Sequence, residues 1–214
     1  MLRIVPVESA PFAENSYVVW QEGQSEAFVI DPGFDPDAIV DVLNKNRLTL
    51  AAVVCTHGHV DHIAGNAELK RQFPDAPLLI GRGDAGMLSD PVANLSANWG
   101  FNITSPPADR LLDEGERITI AGTEMEVREI PGHSPGHVVF VCQGENPPVV
   151  LGGDVLFAGG VGRTDFPRGS FPTLRAGIHT KLFTLPDETT VFPGHGPPTT
   201  VGAEKRTNPY VGIG

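Results

Sequence analysis

The chain reads as an α/β protein, and three observations predict it. Short apolar, partly β-branched runs alternate with segments of helical spacing. The order strands, helix, strand, helix in the first half recurs in the second. Strand-like runs end in small, flexible residues followed by histidine or aspartate, and α/β sheets gather ligands outside the carboxyl ends of their strands. A chain of 214 residues is expected to form one domain over its whole length, 1–214. At that size about 70% of the unfolded surface is buried without any covalent staple.

Strands are expected near Leu2 to Val7, Ser16 to Trp20 and Ala27 to Ile30, followed by a turn at Asp31-Pro32-Gly33. Asp35 suits a helix cap and Pro36 its first turn, so a helix runs from there to about Asn46. Leu50 to Cys55 is a buried strand. Ile63, Ala64, Ala67, Leu69 and Phe73 space a helix over Asp61 to Gln72. Leu78 to Ile80 is a short strand, and Asp84 to Asp90 one helical turn or two. Pro91 to Asp109, rich in Asn, Ser and Pro, is expected to be a long loop beside a functional site. Further strands fall at Ile118 to Ile120, Glu124 to Ile130, Val138 to Cys142, Val149 to Leu151 and Thr190 to Phe192. A helix covers Thr173 to Leu185.

Between the Leu50 strand and the Asp61 helix stands Thr56-His57-Gly58-His59-Val60-Asp61-His62, three histidines and an aspartate in six consecutive positions. Imidazole is the commonest biological metal ligand, and a carboxylate beside it extends the ligand set to harder cations. Gly58 allows a tight backbone path that lets His57 and His59 converge. Three later segments repeat the design of an apolar strand, small residues and one metal-capable side chain. They are Ile130-Pro131-Gly132-His133, Val149-Val150-Leu151-Gly152-Gly153-Asp154 and Val191-Phe192-Pro193-Gly194-His195.

From about Pro11 to Pro198 these motifs resemble the metallo-β-lactamase superfamily, in the H-x-H-x-D-H signature followed by His, Asp and His in that order. Thr-His-Gly-His-x-Asp-His, Pro-Gly-His-Ser-Pro-Gly-His, Gly-Gly-Asp-Val-Leu-Phe, Gly-Val-Gly-Arg-Thr-Asp-Phe and Pro-Gly-His-Gly-Pro resemble, within it, the short single-domain form of the glyoxalase II group, the hydroxyacylglutathione hydrolases. The resemblance implies an αβ/βα sandwich of two mixed β-sheets flanked by helices. It implies that His57, His59 and His133 hold one divalent ion, that Asp61, His62 and His195 hold a second, and that Asp154 bridges both, with Asp61 and Asp154 as the catalytic carboxylates. Zinc is the first choice, with iron or manganese as alternatives for a nitrogen and carboxylate site without thiolate.

The implied activity is thioester hydrolysis, S-D-lactoylglutathione and water giving glutathione and D-lactate, through a hydroxide shared between two cations that lower the pKa of water. The loop with Arg163, Asp165 and Phe166 would lie beside the substrate. There Arg163 meets either a substrate carboxylate or Asp165. His137 is assigned to the surroundings of the ligands, and His179 to the surface. Asp31 is a candidate to orient a ligand histidine. The C-terminal helical region that grips glutathione in longer relatives is largely absent after Gly196, so glutathione recognition here is weaker or built differently. Two alternatives share these motifs. One is a persulfide dioxygenase, with one iron acting on glutathione persulfide, which shares the Gly-Arg-Thr-Asp-Phe loop. The other is a lactonase or other ester hydrolase.

The 15 basic against 26 acidic residues leave a net charge of −11. That argues against nucleic acid, which calls for a basic footprint, and against an anionic membrane surface. Two cysteines, Cys55 and Cys142, are too few for a disulfide framework. With no apolar leader at Met1 to Val7 and no span of ~18 apolar residues, a cytoplasmic protein is expected, acting on a small molecule as a monomer or small homo-oligomer. Cys55 is read as a small apolar filler.

Overall fold

A computed structural model describes residues 1–214. β1 (Leu2–Ser9), β2 (Glu14–Gln21) and β3 (Glu26–Ile30) form an antiparallel meander. α1 (Pro36–Asn46) begins where expected: the Asp35 carboxylate accepts the Ala38 N–H at 3.2 Å, and Pro36 occupies the first turn. The chain returns as β4 (Thr49–Cys55), parallel to β3.

The single helix expected over Asp61 to Gln72 is two helices, α2 (Val60–Ile63) and α3 (Asn66–Gln72). The break has a local cause. Gly65 donates its N–H sideways to Pro32 O at 2.8 Å instead of up the helix. A Cβ there would stand 2.7 Å from Gly33 O, so the helix presses on the Pro32-Gly33 turn at a point that only glycine allows. β5 (Leu78–Gly81) runs parallel to β4 and continues into a 3-10 turn over Arg82–Ser89. The Pro91 to Asp109 loop contains a second 3-10 turn, Ser96–Trp99, and is pinned across itself by Asn94 Nδ2 donating to Ile103 O at 2.9 Å. It ends in β6 (Arg110–Leu112), a short parallel edge strand not foreseen from the sequence.

The second half holds β7 (Arg117–Ile120), β8 (Thr123–Glu129), β9 (Val138–Cys142), β10 (Val149–Gly153) and a small hairpin of β11 (Leu156–Phe157) with β12 (Gly160–Val161). The helix expected over Thr173 to Leu185 starts earlier, as α4 (Phe171–Gly177) capped by Ser170, and widens into a π turn at Ile178–Leu182. β13 (Thr190–Pro193), β14 (Thr199–Thr200) and α5 (Val201–Thr207) close the chain, the last two unforeseen. α5 was missed because seven residues with few apolar positions carry little periodicity.

The strands form two six-stranded mixed sheets, β1-β2-β3-β4-β5-β6 and β14-β13-β10-β9-β8-β7. The sequence dictates four layers because the central strands are apolar on both faces. In β9, Val138, Phe140 and Cys142 point between the sheets, while Val139 and Val141 face α4 and α5. In β4, Ala52 and Val54 face the same interior, and Val53 and Cys55 face α1 and α3. Tyr17, Phe28, Ile30, Leu79, Met125, Val127 and Leu151 complete the middle layer. This is the expected sandwich of two mixed sheets with helices outside. Cys55 and Cys142 are both buried as free thiols, Cys55 as a filler of the outer layer. No helix is long and apolar enough to cross a membrane.

Candidate metal centre

β3, β4 and β5 run parallel, so Asp31, His57 and Asp84 leave the first sheet at one edge. β10 and β13 are parallel, and β8 has the same direction, so His133, Asp154 and His195 leave the second sheet at the facing edge. All seven candidate ligands meet there.

His59 Nδ1 and His133 Nε2 stand 2.9 Å apart, and His133 Nε2 and His57 Nε2 3.3 Å apart, so three ring nitrogens converge on one point. Asp61, His62 and His195 form a second convergent set. His195 Nε2 lies 3.3 Å from Asp61 Oδ2, and His62 Nε2 lies 3.7 Å from it. Asp154 lies between the sets, its Oδ2 3.4 Å from His133 Nε2 and 3.5 Å from His195 Nε2, and its Oδ1 3.6 Å from His62 Nε2. Asp31 also lies near His57 and His62, but its oxygens already accept from Thr56 N–H and Thr56 Oγ1, each at 2.6 Å. Its Oδ2 is 3.1 Å from His62 Nδ1, which places it behind His62 as the orienting carboxylate expected.

The residues fit divalent cations. His62 Nε2 and Asp154 Oδ1 are buried, face each other and have no hydrogen-bond partner. Gly194 has no Cβ to fill this space; one placed there would sit 2.3 Å from Asp154 Oδ1. Burial pushes His57 far below the ordinary imidazole range, His133 below it, and His59 down to about 3, leaving three neutral donors. Burial works against the charge on His62 too, but Asp61 and Asp154 outweigh it and hold its proton well above the usual range. Burial likewise disfavours charge on Asp154, yet His62, His133 and His195 keep it ionised. Without metal, a proton on His62 stands where a cation would balance the carboxylates, and metal binding would release it.

The other expected site residues divide. Phe166 packs its ring on His59 and His133, at 5.2 and 5.8 Å between centroids. Arg163 borders the same cleft, but its guanidinium makes a two-pronged pair with Asp165 at 2.9 and 2.8 Å and lies 4.4 Å over the Phe166 ring. Asp165 does not reach the cleft; it holds Arg163. The cleft has a volume of about 200 Å³, walled by Phe12, Val60, Leu95, Trp99 and Phe157 above the ligands. Leu95 and Trp99 come from the loop expected beside the site.

Three supporting residues, Asp84, Asn15 and Glu14, escaped the sequence, and His137 stands among the ligands as expected. Buried Asp84 accepts from Gly58 N–H at 3.1 Å, Ser134 Oγ at 2.6 Å and Gly136 N–H at 2.5 Å, tying the loop of His57 and His59 to the loop of His133. The signal was available, since Asp84 follows β5 through Gly81 and Gly83, repeating the strand, small residue and acid order of Asp154. His137 Nε2 accepts the Asp154 N–H at 3.0 Å and its ring stacks on His57. Asn15 binds the His195 turn through Gly196 O at 2.8 Å and Pro193 O at 3.2 Å. Glu14 is fully buried 3.9 Å from His62 Nδ1, and burial raises its pKa well above the carboxylate range. His179, expected at the surface, is half-buried and donates from Nε2 to Val211 O at 2.7 Å.

The comparisons agree with this architecture. A model of the Metallo-beta-lactamase superfamily matches residues 10–195. The chain is 35% identical over 212 residues to hydroxyacylglutathione hydrolase GloC of Haemophilus influenzae, covering 98% of this chain and 97% of that protein. Among solved structures it is similar to BLEG-1 B3 metallo-beta-lactamase, with 37% identity, a TM-score of 0.91 and 99% of each chain covered. It is also similar to TTHA1623 in a di-iron-bound form, with 37% identity, a TM-score of 0.84, and 96% and 99% covered. ETHE1 from Myxococcus xanthus follows with 26% identity, a TM-score of 0.81, and 99% and 86% covered. Fold and histidine cluster together imply a metal-dependent hydrolase. A sequence match that spans both sheets and every candidate ligand, at the edge where their strands end, makes this chain a member of the metallo-beta-lactamase superfamily.

Proposed function

We propose that the chain is a single-domain thioester hydrolase with two divalent cations, converting S-D-lactoylglutathione and water to glutathione and D-lactate. The observation that carries the two-cation reading is the position of Asp154, with one oxygen toward His62 and the other toward His133 and His195. The likeness to GloC supports the thioester. His57, His59 and His133 would hold one cation, Asp61, His62 and His195 the other, and Asp154 would touch both. Zinc is the first choice, and the likeness to a di-iron form keeps iron in consideration. When bound, the cations supply Lewis acidity, lowering the pKa of water and polarising a carbonyl oxygen.

The chain's own residues do the rest. Neutral, buried imidazoles leave the centre its positive charge. The apolar wall of Phe12, Val60, Leu95 and Trp99 excludes solvent from the ester and strengthens every charge interaction within. Water oxygen bonds to the acyl carbon, the carbon–sulfur bond breaks, and the thiolate leaves with the electron pair. Asp61, which borders the cleft and is kept ionised by His62 and His195 against its burial, accepts the water proton at the carboxylate oxygen it would not give to the cation and returns it to the thiolate.

The test is hydrolysis of S-D-lactoylglutathione alongside elemental analysis of the same sample. Turnover with about two ions per chain is the expected result. One iron per chain, oxygen uptake on glutathione persulfide and no thioester turnover would overturn it. The likeness to a B3 metallo-beta-lactamase makes a β-lactam the second substrate to offer. β-Lactam turnover without thioester turnover would move the reading to amide hydrolysis.

A further inference from the structure

The segment from Gly162 to Ser170 is tied to the metal centre at both ends. His133 Nδ1 donates to Arg163 O at 2.8 Å, and Ser170 N–H donates to Gly132 O at 2.8 Å. Between these ties Arg168 stands in the left-handed region at φ +68°, an uncommon backbone for a residue with a side chain. Arg163 on the same segment is neutralised by Asp165, whereas Arg168 is exposed and has no carboxylate partner in a chain of net charge −11. Arg168 lines a groove of about 170 Å³ that shares His59 and Leu95 with the main cleft and is bordered also by Met87 and Pro135. Asp90 also borders this groove, but its Oδ1 is occupied by the Val92 and Ala93 N–H groups at 2.9 and 3.2 Å.

The cleft is thus chemically polarised. The main cleft is walled by Phe12, Trp99 and Phe157, and its one cationic side chain, Arg163, is paired with Asp165. The groove that shares His59 is lined by Met87, Val92, Ala93 and Pro135 and carries one guanidinium without a carboxylate partner, with Asp90 turned to the Val92 and Ala93 N–H groups. An ester of an apolar or small acyl group with an acidic thiol matches this order. We propose that the groove is the subsite for the thiol arm of the substrate and that Arg168 receives its terminal carboxylate. This rests on the thioesterase reading for the identity of the ester.

The test uses the whole chain and a probe that cannot be hydrolysed, S-methylglutathione, with binding measured by calorimetry to the wild type, Arg168→Ala and Arg168→Lys. Loss of one charge-assisted contact is expected to weaken binding about tenfold in Arg168→Ala, with partial recovery in Arg168→Lys. In kinetics, Arg168→Ala should raise KM for the lactoyl ester of glutathione by a similar factor at unchanged kcat. The lactoyl ester of N-acetylcysteamine, a neutral thiol, should be unaffected. No binding of S-methylglutathione by the wild type, equal binding by the wild type and Arg168→Ala, or equal losses on both esters would overturn the subsite. Arg168-dependent binding without any thioester turnover would leave the subsite standing and defeat the thioesterase reading.

Discussion

Asp31 and Asp84 are fully buried carboxylates that neighbour different histidines. Asp31 lies behind His62, while Asp84 reaches none of the rings and holds the loops of His57, His59 and His133 through Gly58 N–H, Gly136 N–H and the Ser134 hydroxyl. Asparagine keeps the shape but replaces one acceptor oxygen with a donor. Asp31→Asn and Asp84→Asn are each expected to weaken one cation site about 10–100-fold. Zinc titration against a chromophoric chelator should show one strong site remaining in each single variant and none in the double variant. A double variant indistinguishable from either single would mean that both residues support the same site. The ring charges yield a second expectation. His57, His59, His133 and His137 are held below the free imidazole range by burial, so in metal-free protein the unfolded chain binds more protons below about pH 6.5. Their contribution is present above that pH and is lost as pH falls toward the folded values. His62, His195 and the buried carboxyls of Glu14 and Asp84 are raised and work in the opposite direction, so the four lowered rings are matched in number. Glu14→Gln removes one of the opposing groups, so the urea midpoint of the metal-stripped variant should fall relative to that of the wild type as pH drops from about 7.5 to about 5.

Among the elements, the 3-10 turn Arg82–Ser89 is the strut between the two ligand loops. It touches them backbone to backbone: a Cβ on Gly136 would lie 2.4 Å from Asp84 N, and one on Gly83 would lie 2.7 Å from Gly136 Cα. Glycine is required here for close approach, since Gly136 does not have a positive φ. Gly136→Ala must push the strut away from the His133 loop. It is expected to cost about 2–3 kcal/mol in urea unfolding and to reduce the zinc retained after dialysis. Full stability with reduced zinc would show that the contact shapes the site alone.

Across the whole molecule, the site depends on the distance between two sheets, and the layer that sets that distance is apolar. Phe140 lies at its centre with no exposed surface, among residues of both sheets. Phe140→Ala is expected to cost about 3–5 kcal/mol by equilibrium denaturation. Asn15 and Tyr17 join the sheets directly: both donate to Pro193 O, from β2 to the strand that carries His195. Loosening the middle layer should therefore shift His195 before the three-histidine set, which the Val138 N–H to Thr56 O bond and the Asp84 clamp hold independently.

The local signals, by themselves, were enough for much of this protein. The seven candidate positions that the fold brings to one edge were legible because a strand, a flexible pair and a metal-capable side chain are neighbours in the chain. The central strands were legible because apolar runs bounded by glycine and proline carry their own period. The break at Gly65 was not, since its N–H is taken by Pro32 O, a partner from another turn. Nor was the clamp at Asp84, whose donors lie 26, 50 and 52 residues away, or the seating of Asp154 on His137, 17 residues before it. Which residues can hold a metal is a matter of side-chain chemistry that the sequence states outright. How those side chains are aimed depends on hydrogen bonds between distant segments, and only the packing of two sheets brings such segments together.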